Sequence, residues 1–294
     1  MLDPAQMSAL TEVIRTGSFE RAAERLSVTP SAISQRVKAL EERIGSVLIM
    51  RGQPCLPTPT GQRILRHAEE VDLLEQMLHR DLGGAAPALS TLRVAVNADS
   101  LATWLIPGMA ACDGILFDLV IDDQDHSAAW LREGKVSAAI TSHAAPVQGC
   151  DSHPLAVMRY VATASPAFMA RWFPDGVTVE ALKHAPMMTF DPKDTLQTDW
   201  LRATFGRPLR PPSHWIPATH PFVEATLAGM GWAMNPEILI ADHLATGRLV
   251  PLMPEAPLDV PLHWQTSRMV GKAIAPITRE IRRAASVLRP FAER

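Results

Sequence analysis

The 294-residue sequence predicts two units in series: a small all-α unit that runs into one long helix, then a larger α/β unit of two lobes. Three observations carry this prediction. Residues 3–45 place their apolar positions at helical spacing, broken by two turn signals. From about Gly61 to Leu82 a single narrow apolar stripe continues without a breaker. From Leu92 onward short apolar strands alternate with amphipathic helices, and a second such set begins near Ala162.

Residues 3–16 form the first expected helix, with Met7, Leu10, Val13 and Ile14 facing inward. Ser18, after Gly17, is placed to cap a second helix whose Phe19, Ala22, Ala23 and Leu26 share a face. Ser27-Val28-Thr29 is a turn that ends at a new start signal. Thr29 serves as N-cap and Pro30 occupies the first helical position, where its missing N–H would have had no partner and its φ is preset. Ile33, Val37, Leu40 and Ile44 then make one buried stripe.

The opposite face of this third helix carries Ser31, Ser34, Gln35 and Lys38, with Arg36 on its flank. Such groups reach base edges and phosphates when a helix enters the major groove: glutamine pairs with adenine, arginine and lysine with guanine or phosphate. Any amphipathic helix has a polar face, so the local charge carries more weight. Between Val13 and His67 nine cations (Arg15, Arg21, Arg25, Arg36, Lys38, Arg43, Arg51, Arg63, Arg66) face four anions (Glu20, Glu24, Glu41, Glu42), in a chain whose total is −3. A basic region concentrated in a mildly acidic chain suits phosphate binding.

The stretch SFERAAERLSVTPSAISQRVKALEERIG, followed by VLIMR, a Pro-rich loop and PTPTGQRIL, resembles the winged helix-turn-helix of LysR-type transcriptional regulators, without a gap through about residue 65. The resemblance implies that Pro30 to Leu40 is the recognition helix. It also implies that Arg51, with the Gln53 to Pro57 loop, forms a wing beside the minor groove. The expected contacts to double-stranded promoter DNA are Ser31, Ser34, Gln35, Arg36, Lys38 and Arg51.

Composition narrows the remaining classes. An apolar content of 47% with 20% charged residues is that of an ordinary globular chain long enough for two or three compact units. No apolar run approaches the ~20 residues of a membrane span, and the N-terminus lacks a leader pattern, so a cytoplasmic protein without membrane contact is expected. Cys55, Cys112 and Cys150 are far apart and show neither metal nor disulfide spacing. No nucleophile elbow, phosphate loop, dinucleotide fingerprint or zinc-protease motif is present, which predicts neither enzymatic activity nor a cofactor.

Thr58-Pro-Thr-Gly opens the long helix, in which Ile64, Ala68, Val71, Leu74, Leu78 and Leu82 form a seam at near-heptad spacing. Such a seam suits pairing with a second helix; the alternative is a surface helix packed on its own domain. In the resembled family this helix dimerises two subunits, and effector domains extend the dimer to a homotetramer that meets RNA polymerase at a promoter. The expected units are a DNA-binding domain at 1–60 and the linker helix and hinge at 61–84. The hinge is read from Gly83-Gly84-Ala-Ala-Pro87.

Beyond it, strands are expected at Leu92–Val96, Leu116–Ile121 and Val136–Ile140, with helices at Ser100–Met109 and Ser127–Arg132. The second set has helices near Pro166–Arg171, Val179–His184, Thr195–Phe205 and Phe222–Ala228, and strands at Met187–Phe190, His214–Ile216 and Trp232–Met234. The chain returns through Leu262–Thr266 and ends in a basic helix from about Ile277. Alternation of this kind predicts parallel sheets covered by helices. Two lobes, 90–161 with 263–294 and 162–262, would be joined by crossing strands, as in periplasmic binding proteins and the effector domain of the resembled family.

Within the expected cleft, VNADSLATWLIP at 96–107 lets Asp99 or Ser100 cap a helix whose N–H groups suit a carboxylate, with hydroxyls from Ser100 and Thr103. IDDQDH puts Asp122, Asp123 and Asp125 at the carboxyl end of a strand, where ligands gather in α/β sheets. A carboxylate site beside an acidic cluster describes a zwitterion with an extra positive charge, such as lysine or arginine. The plainer reading is an ordinary cap and a solvated acidic trio.

NADSLATWLIP, IDDQDH, LREGKV and FPDGVTVEALKHAPMMTFD are similar to the arginine- and lysine-sensing branch of the LysR family, whose members activate an export gene for basic amino acids. The likeness implies effector contacts from Asp99, Ser100, Thr103, Asp123 and Thr141 in one lobe and Phe190, Asp191, Thr219 and Phe222 in the other. The helix start at Ser100 would hold the ligand carboxylate, Asp123 the distal cation and Asp191 the α-ammonium. Two other readings stay open: a LysR-type regulator of another small effector, and a cytoplasmic solute-binding protein without DNA specificity.

Overall fold

The computed structural model describes residues 2–83, 89–123 and 126–291, with Arg80 by its backbone alone. The expected hinge therefore lies outside the described residues except for Gly83.

Each helix of the N-terminal unit is started by the residue type that local chemistry favours. Asp3 accepts the Ala5 and Gln6 N–H groups at the head of α1 (Pro4–Thr16), at 2.8 and 3.1 Å. Ser18 accepts the Arg21 N–H for α2 (Phe19–Arg25), and Thr29 accepts the Ala32 N–H for α3 (Pro30–Ile44). Gly45, at φ 74°, ends α3 in the left-handed conformation just after Ile44, the last residue of the expected stripe. Ala9, Leu10, Val13, Ala22, Ala23, Ile33, Val37 and Leu40 close into one core. The wing is the antiparallel pair β1 (Ile49–Met50) and β2 (Leu56–Pro57), joined through a cis Gln53–Pro54 bond.

The long helix α4 (Pro59–Asp81) starts two residues before Gly61, with Thr58 Oγ1 accepting the Gly61 N–H at 3.0 Å. Glycine is required at 61, since a Cβ there would collide with the Leu48 carbonyl. The expected seam is only partly free. Leu65 and Ala68 are buried within the chain, and Leu73 is 2% exposed in the α/β core with Leu74 packed against it. Leu78 and Leu82 are 56% and 75% exposed. The apolar stripe is wider than the near-heptad reading: Ile64 packs against the head core, and Leu73, on a neighbouring row, anchors the helix in the α/β core.

Two ion pairs mark this junction. Arg15 of α1 lies 3.5 Å from Glu69, and Arg66 lies 2.9 Å from Glu70 one turn along the same helix. Burial pushes the Glu69 carboxyl up to about 7, against the pull of Arg15 and Arg93. Arg66 also lies against Gly134, where φ is 68° and a Cβ would collide with the guanidinium.

The α/β unit opens with β3 (Ser90–Val96). A continuous helical stretch follows, comprising α5 (Ala98–Ser100), a π-helical turn at Leu101–Leu105 and α6 (Ile106–Ala110). Next come β4 (Ile115–Ile121), α7 (Ser127–Arg132), β5 (Ala138–Thr141) and the 15-residue β6 (Cys150–Ala164). The second lobe adds α8 (Pro166–Trp172), α9 (Val179–His184), β7 (Met187–Thr189), α10 (Leu196–Phe205), β8 (Ser213–Trp215) and α11 (Thr219–Leu227). It closes with β9 (Ala233–Pro236), α12 (Glu237–Ala245) and β10 (Val250–Pro251), before β11 (Leu258–Ser267) and α13 (Ala275–Ala284) return to the first lobe.

The main sheet is mixed rather than wholly parallel. β3 pairs in parallel with β4 and β5, while β7 and β8 form a separate two-stranded parallel sheet. β11 runs antiparallel to β5 and β6, and β6 antiparallel to β9 and β10. The long strands β6 and β11 therefore cross between lobes, and their register shifts at Leu262/His263. β6, β10 and α12 go beyond the expected elements. No helix among the described residues is long and apolar enough to cross a membrane.

Candidate functional site

On α3 the polar residues fall where the sequence places them. Ser31, Gln35 and Lys38 are exposed, and Ser34 and Arg36 are partly exposed, while Ile33, Val37 and Leu40 turn inward. Spacings of four and three put Ser31, Gln35 and Lys38 on one side of the helix. Lys38 lies 3.7 Å from Glu42, a loose exposed pair that water or phosphate can replace. Arg51, exposed at the base of the wing, stacks over the Phe19 ring at 5.3 Å, which steers its guanidinium without neutralising it.

Between the lobes lies a cavity of about 270 Å³. Lobe 1 contributes Asn97, Ala98 and Asp99 at the end of β3 and start of α5, then Ile121, Asp122, Asp123 and Trp130 around the end of β4. Lobe 2 contributes the loop Phe190, Asp191, Lys193 and Asp194 with Leu196 and Gln197 of α10. It also contributes Thr219 and Phe222 of α11 and Met234–Pro236 of β9. These come from strand ends and helix starts, where α/β sheets place ligands.

The polar groups of the wall are organised by charge. Asp99 uses both oxygens: Tyr160 Oη donates at 2.8 Å and Thr219 Oγ1 at 2.9 Å. Burial pushes the Asp99 carboxyl up, against those two donors, and burial with the adjacent Asp99 holds Tyr160 protonated as a donor. Asp122 accepts from Trp130 Nε1 at 2.7 Å and from Lys193 Nζ at 3.2 Å. Burial opposes its ionisation, but these bonds and the Asp123 N–H together outweigh it and keep the carboxyl below its usual value. Asp194 accepts the Phe190 and Leu196 N–H groups, yet burial still pushes its carboxyl up. Asp191 accepts the Lys193 and Asp194 N–H groups.

Two family models match the chain. A bacterial regulatory helix-turn-helix protein, lysR family, covers residues 4–62, and a LysR substrate binding domain covers 85–285. The chain belongs to the LysR family.

This LysR-family chain is 44% identical over 288 residues to the HTH-type transcriptional regulator LysG of Mycobacterium tuberculosis, covering 98% of this chain and 95% of that one. It is 40% identical over 295 residues to the HTH-type transcriptional regulator ArgP of Pseudomonas fluorescens, with 97% and 98% covered. Among solved structures, ArgP from Mycobacterium tuberculosis superposes with a TM-score of 0.83 at 43% identity, covering 99% and 100% of the two chains. Full-length LysG from Corynebacterium glutamicum, solved with bound effector Arg, gives 0.68 at 36% identity over 98% and 100%. The chain is accordingly a DNA-binding transcriptional regulator rather than an enzyme.

The regulator's cleft gathers six of the nine expected effector residues: Asp99, Asp123, Phe190, Asp191, Thr219 and Phe222. Three do not line it. Ser100 is fully buried behind the wall, Thr103 donates to the Asp99 carbonyl at 2.6 Å, and the buried Thr141 donates to the His143 carbonyl at 3.1 Å. Nor does Asp99 or Ser100 cap the helix. Asn97 holds the N-cap position, because β3 ends at Val96 and the helix already begins at Ala98. Asp125 lies outside the described residues.

Other wall residues escaped sequence reasoning. Asn97, 3% exposed, has side-chain oxygen and nitrogen without a protein partner, and Asn235 has an unpartnered oxygen. The DPKD run at 191–194 was a visible signal for Lys193 and Asp194, since a loop rich in Asp and Pro between a strand and a helix places side chains at a strand end. No comparable signal marks Trp130 or Gln197. Among the described residues no cluster of three or more His, Cys, Asp or Glu is arranged to hold a metal ion.

Proposed function

We propose that this regulator senses lysine or arginine, bound between the two effector lobes, and activates a gene for a basic amino-acid exporter. The supporting observation is a cavity of amino-acid size whose wall carries five carboxylates, Asp99, Asp122, Asp123, Asp191 and Asp194, against the single ammonium of Lys193. A site so rich in partly buried carboxylates favours a ligand of net positive charge. The arginine-bound LysG of Corynebacterium glutamicum, similar along its whole length, points the same way.

In this reading the helix start at Ala98 and Asp99, with Asn97, takes the ligand carboxylate. Asp191 meets the α-ammonium, and Asp123 with Asp122 meets the distal cation, while Phe190 and Phe222 pack on the aliphatic stem. Thr219 acts through Asp99. Ser100, Thr103 and Thr141 support the wall from behind.

Ser31, Ser34, Gln35, Arg36, Lys38 and Arg51 read and grip promoter DNA as part of a 1–60 unit. The 61–84 helix, with Leu78 and Leu82 exposed, pairs two chains, and lobes 90–161 with 263–294 and 162–262 complete a cytoplasmic homotetramer that engages RNA polymerase. Ligand changes transcription only by binding one arrangement of the assembly better than another, so effector and DNA affinities are reciprocally linked. Thermal unfolding with each of the twenty amino acids tests the effector. At ~100 times its dissociation constant a true ligand adds about 2.7 kcal/mol to the native state. A midpoint raised by lysine or arginine alone supports the reading; a rise with some other amino acid, or with none, overturns it.

A further inference from the structure

The cleft's own ammonium occupies the place that a basic ligand would need. Lys193 Nζ, from the lobe 2 loop before α10, reaches across the cleft to Asp122 Oδ1 at the end of β4 in lobe 1, at 3.2 Å. The acceptor is rigid: Trp130 Nε1 holds its other oxygen at 2.7 Å, the Asp123 N–H donates to Oδ1 at 2.9 Å, and the side chain is 13% exposed. The stem is rigid too. Asp191 accepts the Lys193 and Asp194 N–H groups, and Asp194 accepts those of Phe190 and Leu196. Only the arm between them is free, because the Lys193 side chain is 54% exposed and its ammonium meets only Asp122 among the described residues.

From this arrangement we infer that Lys193 is a tethered stand-in for the effector's side-chain cation, seated on Asp122 and displaced by the incoming ammonium or guanidinium. The inference rests on the basic-amino-acid reading and adds to it a competitor built into the chain. A partly buried carboxylate cluster without a counter-charge is costly, and a stand-in cation removes that cost when no ligand is present. A neutral side chain has nothing to offer Asp122 in exchange, so the stand-in also rejects uncharged amino acids. A ligand that does displace it frees the Asp122–Lys193 tie between the lobes and substitutes its own.

Calorimetric titration of the full chain with arginine, lysine and citrulline, the uncharged analogue of arginine, tests this in wild type, Lys193→Gln and Lys193→Arg. The displaced pair is partly exposed, so Lys193→Gln is expected to bind arginine and lysine about fivefold more tightly. Citrulline, shut out by the intact pair, should gain as well in Lys193→Gln while staying weaker than arginine, and Lys193→Arg should stay near wild type. Unchanged or weaker arginine and lysine binding by Lys193→Gln overturns the stand-in; weaker binding would make Lys193 a partner of the ligand carboxylate. If wild type binds arginine or lysine and the glutamine variant does not tighten, only this inference falls. If wild type binds neither, the basic-amino-acid reading falls with it.

Discussion

Thr219 Oγ1 donates to Asp99 Oδ1 at 2.9 Å, joining the first residue of α11 in lobe 2 to the start of α5 in lobe 1 across 120 positions of sequence. The other Asp99 oxygen is held by Tyr160 on the crossing strand β6. One carboxylate thus ties together both lobes and the strand that links them.

Replacing Asp99 by Asn should separate stability from binding. Burial raises the Asp99 carboxyl above its usual value, so the folded state binds this proton more tightly than the unfolded one. A raised acid lowers stability as pH climbs from its ordinary range through the folded value. Asp99→Asn should therefore match or exceed wild-type thermal stability at pH 8. Its arginine or lysine affinity should change less than about twofold, because both Asp99 oxygens are taken by Tyr160 and Thr219 and the ligand is met by the helix-start N–H groups. Melting curves and calorimetry on the same preparation check both.

Asp123→Asn should weaken binding of lysine or arginine about tenfold without changing DNA affinity in the absence of effector. The side chain lines the cavity at 18% exposure, far from α3. Unchanged ligand affinity would remove Asp123 from the site.

Glu69 makes the head-to-linker junction sensitive to pH. Burial raises its carboxyl from 4.5 to about 7. The sign is the same as for Asp99: the stability present below about pH 4.5 is lost progressively up to about pH 7. Glu69→Gln should gain about 1–3 kcal/mol over wild type at pH 8 and almost nothing near pH 5. Chemical unfolding at the two pH values is the check.

On the proposed DNA-reading face, Lys38→Ala should reduce the salt dependence of binding by about one phosphate contact, uniformly across sequences. Gln35→Ala should instead relax the preference at one base position by about 1–3 kcal/mol. Gel-shift titrations at two salt concentrations, on specific and scrambled fragments, distinguish the two.

What could be read beforehand follows the range of the interactions involved. Ser18, Thr29 and Pro30 announce helices because caps act within three residues, and Ile33, Val37 and Leu40 announce a face because the helix repeats every few residues. β6 did not announce itself. Pro154 and Arg159 interrupt its apolar run, and its two halves pair with different partners, so no single alternation describes it. The cleft was half legible for the same reason. Asp122 and Asp123 stand out at a strand end, but Lys193 is 71 residues away and meets Asp122 only after the lobes fold. Ser100 and Thr103 stood in the right motif but do not line the cavity, since the helix starts at Ala98, two residues earlier than expected.

Helix α4 is one uninterrupted element of 23 residues, about 35 Å long, fixed to the head near one end and to lobe 1 through Leu73 nearer the other. It behaves as a lever. A tilt of about 5° where it meets the effector lobe carries the far end through about 3 Å. Adjacent major-groove half-sites on one face of DNA lie about 34 Å apart, so two such heads displaced by that amount no longer fit an unbent duplex. In the proposed dimer, sub-ångström adjustments around a small molecule in the cleft would thus become a choice between straight and curved DNA.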